Sequence, residues 1–150
     1  MTLVTQILPE HHKHCDELFV VAEDAVHSVD WTAAALAFAH FEAQMRAHFS
    51  AEEDLLFPAF EAATGMSGGP TQMMRYEHEQ MRTLLDQLAV ACAARDADSY
   101  GGDAETLLTL LQQHNMKEEN ILYPMCDQAL GGQVADVVGQ MSGLLEEEHA

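Results

Sequence analysis

The fold is decided by the stretch His48-Phe-Ser-Ala-Glu52-Glu53-Asp-Leu-Leu-Phe57-Pro58, which recurs as His114-Asn-Met-Lys-Glu118-Glu119-Asn-Ile-Leu-Tyr123-Pro124. Both stretches read H-x-x-x-E-E-x-[LI]-L-[FY]-P, and the second lies 66 residues after the first. Agreement of this extent over one continuous run indicates an internal repeat. The chain is therefore expected to consist of two related halves.

The same offset relates two further histidines outside these stretches. His78 lies 66 residues after His12, and each half then has the same internal spacing, because His12 to His48 and His78 to His114 are both 36 residues. The chain reads as two helix hairpins, each carrying a histidine on its first helix and His-x-x-x-Glu on its second.

Three histidines cluster near the N-terminus, and the repeat favours one of them. His11 corresponds to Glu77 and His14 to Gln80, whereas His12 alone has a histidine counterpart. His12 is therefore the predicted site residue of this segment, and His11 and His14 remain alternatives.

Apolar residues recur every three or four positions in four long stretches, and no segment alternates as a half-buried strand does. The predicted helices cover about 5–28, 31–64, 71–95 and 103–130. Asp30, Thr71 and Asp103 are the predicted N-caps of the last three. Long helices with short connections predict an all-α, up-down antiparallel four-helix bundle over residues 1–132. Residues 133–150 are predicted to form a tail with a short C-terminal helix.

The charge balance limits the classes of partner. Six basic residues stand against 25 acidic ones, which gives a net charge of −19. Such a surface repels phosphate backbones and anionic lipids, so neither a nucleic acid nor a membrane is an expected partner. The three cysteines are widely spaced and odd in number, which argues against a disulfide framework. With no signal-like N-terminus and no apolar run long enough to span a membrane, we expect a cytoplasmic protein.

The paired histidines and glutamates predict a metal site. Residues four apart lie on the same face of a helix, so His48 points with Glu52 and His114 with Glu118. These faces also carry the apolar stripes and should enter the core. Imidazoles and carboxylates in a dry core are costly unless they are paired or bind cations. A pair of divalent metals removes that cost, and mixed imidazole and carboxylate ligation suits iron, with manganese or zinc as alternatives. The predicted metal ligands are His12, His48, Glu52, His78, His114 and Glu118.

Each ligand histidine also needs an acceptor for its other ring N–H. The available carboxylates are Glu53, Glu77, Glu119 and Asp16. Two tyrosines, Tyr76 and Tyr123, are further candidates to reach the metals as phenolates or as hydrogen-bond donors. Sequence assigns none of these roles.

These residues resemble the hemerythrin-like (HHE cation-binding) family. Four elements fall in the family's order on four successive helices, over about residues 5–130. They are His12-Lys-His-Cys15, His48-Phe-x-x-Glu52-Glu53, His78-Glu79-x-Met81 and His114-x-x-x-Glu118. The resemblance implies a non-haem di-iron centre with bridging carboxylates, and a site for a small molecule such as dioxygen or nitric oxide.

One position departs from the family's oxygen carriers, which have five histidines, two of them on the third helix. Here Met74 lies four residues before His78, and Arg82 lies four residues after it. Four histidines and two glutamates look more like the family's iron-centre repair and regulatory members. We therefore expect a stand-alone protein, monomer or homodimer, that binds, senses or detoxifies dioxygen, nitric oxide or peroxide. The competing hypothesis is a di-iron oxidoreductase, an oxidase or peroxidase with a small organic substrate.

Overall fold

The chain is mostly helical in the part that the structure describes, and the described residues contain no strand. The computed structural model describes residues 1–149, with side chains described as far as residue 145. The predicted tail therefore has its last residue, 150, outside the described residues. The helices are α1 (Val4–His27), α2 (Trp31–Ala51), α3 (Phe57–Thr64), α4 (Pro70–Ala93), α5 (Ala97–Lys117), α6 (Tyr123–Leu130) and α7 (Val134–His149).

Two of the long helices contain one π-helical turn each, at equivalent places in the repeat. The turn Glu52–Leu56 joins α2 to α3, and the turn Glu118–Leu122 joins α5 to α6. Pro58 and Pro124 follow directly. A proline ring clashes with the carbonyl four residues earlier in a regular α-helix, and a wider turn relieves that clash. The helices therefore continue past the prolines, which leaves four long helices and confirms the predicted four-helix bundle.

The bundle is made of two helix hairpins. α1 packs most extensively on α2, and α4 on α5. Residues 28–30 and 94–96 form the two hairpin connections, and they turn in the same way. Val29 and Arg95 both have positive φ, 57° and 56°, although neither is glycine. Because these residues are also 66 positions apart, the repeat extends to the backbone of the turns.

The predicted N-caps are partly wrong. The Asp30 side chain accepts from Ala33 N–H at 3.1 Å, as predicted. The fourth long helix, however, begins at Ala97, where the Asp96 side chain accepts from Ser99 N–H at 3.1 Å. Asp103 therefore lies inside α5, because Gly101 and Gly102 do not break the helix.

Thr71 is not an N-cap either. α4 begins at Pro70 with Gly69 as its N-cap. The Thr71 hydroxyl donates instead to Glu61 Oε2 at 2.6 Å, which links α4 to α3. Proline at the first position of the helix fits the fixed φ of its ring, and this signal outweighs the threonine.

Two apolar clusters fill the bundle, one toward each end. One lies beside the hairpin turns and includes Phe19, Phe41 and Leu85. The other lies at the opposite end and includes Leu8, Phe57 and Leu130. Both clusters supply the burial that stabilises the fold, and the buried histidines and carboxylates lie between them.

α7 is the predicted C-terminal helix, and it covers 16 residues. Its apolar face joins the second cluster through Val134, Val138, Met141 and Leu145. It packs chiefly on α2 and on the π-helical turn Glu52–Leu56. The division of the chain after residue 132 stays a prediction. Among the described residues, no helix is both long and apolar enough to cross a membrane.

Candidate metal centre

All six predicted metal ligands are buried and come together between the two apolar clusters. They come from the four long helices, and none is more than 5% exposed. Glu52, His78 and Glu118 are fully buried. Their donor atoms fall into two overlapping groups.

The group that we call the second position contains His78, His114, Glu52 and Glu118. One ligand atom from each lies within 4.8 Å of the others. His78 Nε2 is 3.0 Å from Glu52 Oε1, and His114 Nε2 is 3.2 Å from Glu118 Oε1. Both histidines belong to the second half of the chain.

The group that we call the first position contains His12, His48 and Glu118. His12 Nε2 lies 3.1 Å from His48 Nε2 and 3.2 Å from Glu118 Oε1. Both histidines belong to the first half. Glu118 is therefore common to the two positions, as a bridging carboxylate is. The structure brings His12 into this group, and not His11 or His14.

Tyr123, one of the two candidate tyrosines, also lies at the first position. Its hydroxyl donates to Glu52 Oε2 at 2.7 Å, and it lies 2.9 Å from Glu118 Oε1. It is also 3.1 Å from His12 Nε2 and 3.3 Å from His48 Nε2. Tyr123 is fully buried, whereas Tyr76, the other candidate, is 63% exposed on α4 and lies away from the site.

The second position fits a cation because its polar atoms make no hydrogen bond of good geometry. His78 Nε2 and His114 Nε2 lie 3.0 and 3.2 Å from carboxylate oxygens. Four buried atoms nevertheless form no such bond: Glu52 Oε1, His78 Nε2, His114 Nε2 and Glu118 Oε2. A buried polar atom without a partner costs roughly 1–3 kcal/mol, and more when the group is charged. A metal ion that accepts these lone pairs removes the cost, so the residues present suit a metal.

The outer ring nitrogens of three ligand histidines contact carboxylates. His12 Nδ1 is 2.7 Å from Glu119 Oε2, and His78 Nδ1 is 2.6 Å from Glu53 Oε2. His114 Nδ1 is 2.7 Å from Glu77 Oε1. These contacts direct each Nε2 toward the centre of the bundle and make the imidazoles better donors.

Two basic side chains contact the outer carboxylates behind His78 and His114. Arg82 contacts both oxygens of Glu53, each at 3.0 Å. Lys117 donates to Glu77. Asp16, the fourth carboxylate considered from sequence, is exposed.

His48 has a different outer partner, which sequence reasoning did not identify. Its Nδ1 lies 2.8 Å from His11 Nδ1, and His11 Nε2 lies 2.8 Å from Gln44 Oε1. Because an amide oxygen only accepts, His11 donates from Nε2 and accepts from His48 at Nδ1. His48 Nε2 is then left as a lone pair directed inward. The offset that pairs His11 with Glu77 was the available signal for this role.

The charges of the metal-free site are strongly coupled. Burial disfavours the charged form of His12, but Glu118 outweighs it and raises the pKa to about 9. For His78 burial is again outweighed, by Glu52 and Glu53, and the pKa is about 9. Burial and the charge of Glu118 raise the pKa of Glu52 to about 7.

Two other groups stay neutral in the metal-free site. Burial and the positive charge of His12 hold the pKa of His48 well below its usual range. Burial, with the carboxylates Glu118 and Glu52, raises the pKa of Tyr123 well above its usual range. His48 is therefore ready to donate a lone pair, and Tyr123 keeps its proton until a cation compensates the carboxylates.

A small cavity adjoins the centre on the side of the hairpin turns. It offers about 10 Å³ to the centre of a water-sized sphere, and one water molecule needs about 10–15 Å³ on this measure. Its lining includes His12, His48 and His114 together with Phe49 and Asn115. An open groove outside it shares Asp16 and Asn115 with the cavity. The cavity and the groove are therefore neighbours on this side of the bundle.

A helical bundle with a buried layer of histidines and carboxylates from all four long helices belongs to the class of metal-binding four-helix bundles. Within that class, the sequence profile described as Hemerythrin HHE cation binding domain matches residues 2–126. The chain belongs to this family. Searches of curated proteins and of solved structures gave no match.

Proposed function

We propose that this protein is a non-haem di-iron protein that binds, senses or detoxifies dioxygen, nitric oxide or peroxide. One iron would be held at the first position and one at the second, with Glu118 shared between them. Bound iron would supply a site for a small ligand and for electron exchange with it. A role in the repair of damaged iron centres is consistent with the same site.

The observation that carries the proposal is the set of unpartnered donor atoms at the second position. Glu52 Oε1, His78 Nε2 and His114 Nε2 are all buried. Mixed nitrogen and oxygen ligation suits iron among the first-row metals. The family to which the chain belongs is described as a cation-binding domain.

The size of the adjoining cavity favours a small ligand over an organic substrate. About 10 Å³ beside His12, His48 and His114 is at the lower limit of the space that one water molecule needs. Pockets for drug-sized molecules are far larger, about 300–1,000 Å³. The cavity therefore supports dioxygen, nitric oxide or peroxide, and it counts against the competing hypothesis of an oxidoreductase with an organic substrate.

The test is metal analysis of protein produced with iron and without added zinc. We expect about two iron ions per chain, as a dinuclear centre requires, and near-ultraviolet absorption typical of oxo-bridged ferric iron. His114→Ala should lose iron. The matched control is His27→Ala, because His27 is an exposed histidine at the end of α1, and this variant should keep iron.

The small ligand is tested on the reduced, iron-loaded protein. Nitric oxide, dioxygen and peroxide are each added in turn, and the optical spectrum should change with at least one of them. Protein that retains only zinc, or iron-loaded protein that responds to none of the three, would contradict the proposal.

A further inference from the structure

The first position has three ligands from the predicted set, whereas the second has four. The Tyr123 hydroxyl lies where a fourth ligand atom of the first position would be. It is 2.9 Å from Glu118 Oε1, 3.1 Å from His12 Nε2 and 3.3 Å from His48 Nε2. These contacts are close to equal, although the three partner residues come from three different helices.

The distances within this group match those of a metal's ligand shell. Nitrogen and oxygen ligands bind metals such as zinc at about 2.0–2.2 Å, so neighbouring ligand atoms around one ion are about 3 Å apart. His12 Nε2 lies 3.1 Å from His48 Nε2 and 3.2 Å from Glu118 Oε1. With the three contacts of Tyr123, five pairs of the four atoms lie between 2.9 and 3.3 Å. The four atoms thus form a shell of the right size for one ion.

We propose that Tyr123 is the fourth protein ligand of the first position, binding iron through its phenolate oxygen. The inference rests on the proposed function, because it requires iron at the site. Iron accepts phenolate ligands in proteins. The O–H bond of Tyr123 breaks and its electron pair forms the bond from oxygen to iron, while the proton passes to solvent. No electron is transferred in this step.

The second half of the chain offers no such group. Phe57 is the counterpart of Tyr123 in the repeat. Phe57 stacks on His78 with ring centroids 5.8 Å apart, as Tyr123 stacks on His12 at 5.7 Å. The two rings are placed alike, and only one carries an oxygen. The proposed ligation therefore makes the two iron positions chemically different.

The test uses the optical spectrum of the ferric protein, because a phenolate bound to ferric iron gives a charge-transfer band in the visible region. The chain has three tyrosines, so the assignment can be complete. Tyr123→Phe should lose the band and should release one proton fewer on iron loading. Tyr76→Phe and Tyr100→Phe are the matched controls, one exposed and one buried in the cluster beside the hairpin turns, and both should keep the band.

A second measurement avoids reliance on a variant that fails to fold. Resonance Raman spectra of the wild-type ferric protein, grown with ring-deuterated tyrosine, should show tyrosinate modes that shift with the isotope. Wild-type protein that holds two irons without the band or the modes would overturn the inference and leave the proposed function intact. A band that survives in Tyr123→Phe would also overturn it. Wild-type protein that holds no iron would instead contradict the proposed function itself.

Discussion

The two proposed metal positions have equivalent histidines but different outer partners. At the second position, His78 and His114 both contact carboxylates, Glu53 and Glu77. At the first position, His12 contacts the carboxylate of Glu119, but His48 contacts the imidazole ring of His11. The two halves therefore have the same inward-facing histidines but different partners for their outer ring nitrogens.

The supporting groups also differ in exposure. The side chains of Glu53 and Glu77 are 18% and 17% exposed, and each contacts a cation. The Glu119 side chain is 39% exposed. A ligand histidine that donates to a fixed carboxylate is held in place and is a stronger donor. We expect the second position to bind its metal more tightly and the first to exchange more readily.

The largest difference is expected between the two core glutamates, because Glu118 belongs to both positions and Glu52 to one group only. Glu118→Ala should leave almost no metal, whereas Glu52→Ala should keep the metal of the first position. Glu105→Ala on α5 is the exposed control and should keep both. Metal analysis per chain measures this. Full metal content in both core variants would show that the ligand assignment is wrong.

The next effect concerns the outer partner of the histidine on the second helix of each hairpin, which is His48 in the first half and His114 in the second. Glu77→Gln removes the charge behind His114 and should weaken metal binding at the second position by about 10–100-fold, as loss of an outer partner does. Competition with a chelator measures the two binding steps. If the weaker of the two steps changes while the tighter one does not, the assigned order of the positions is reversed.

The reciprocal change tests the same idea in the first half. His11→Glu places a carboxylate behind His48, at the position that corresponds to Glu77. It should strengthen metal binding at the first position by about 10-fold. The metal-free variant should be less stable than wild type, because the new buried charge then has no cation. Unchanged binding at both steps would mean that His48 is insensitive to its outer partner.

The repeat explains how much of the fold and the site was predictable. Residues at i and i+4 share a helix face, so spacing alone predicts that His48 lies with Glu52 and His114 with Glu118 in the buried cluster. The missed cap at Asp96 is instructive, because Asp96 lies 66 residues after the cap Asp30. The predicted N-cap at Asp103 excludes Gly101 and Gly102 from the helix, although the offset of 66 residues points to Asp96.

The roles of Tyr123 and His11 depend on side-chain packing, which the spacing of residues in the sequence does not reveal. Tyr76 and Tyr123 are the same residue type on helices, and only burial separates them. Tyr123 lies within the repeated motif and corresponds to Phe57 in the first half. The repeat therefore predicts where its ring lies, but not what its hydroxyl contacts. The role of His11 requires the distance from its ring to His48 across two helices. Spacing along a chain gives the face of a helix and not the contact across it.

The pH dependence of stability should be the same at both positions, because one histidine at each has a raised pKa. His12 and His78 have pKa values of about 9 in the metal-free fold, against 6.5 in the unfolded chain. A raised pKa stabilises the fold fully below pH 6.5, and this contribution is lost as the pH rises through 9. The midpoint temperature of thermal unfolding of the metal-free protein should therefore decrease as the pH is raised from 6.5 to 9. The midpoint of the iron-loaded protein should decrease less, because the metal replaces these protons. Equal slopes for the two forms would contradict the assignment.

The smallest expected effects are on stability, and they concern Arg82 and Lys117, the two basic side chains that contact the outer carboxylates Glu53 and Glu77. Arg82 binds both oxygens of Glu53, and its guanidinium lies 5.3 Å from the centre of the Phe49 ring. Lys117 makes a single contact to Glu77, and its side chain is 46% exposed. Bidentate arginine pairs with ring contacts are stronger than exposed lysine pairs. Arg82→Ala should lower the free energy of unfolding by about 1 kcal/mol, and Lys117→Ala by less than about 0.5 kcal/mol. Chemical denaturation measures both, and an equal loss would mean that the planar arginine contact adds nothing beyond its charge.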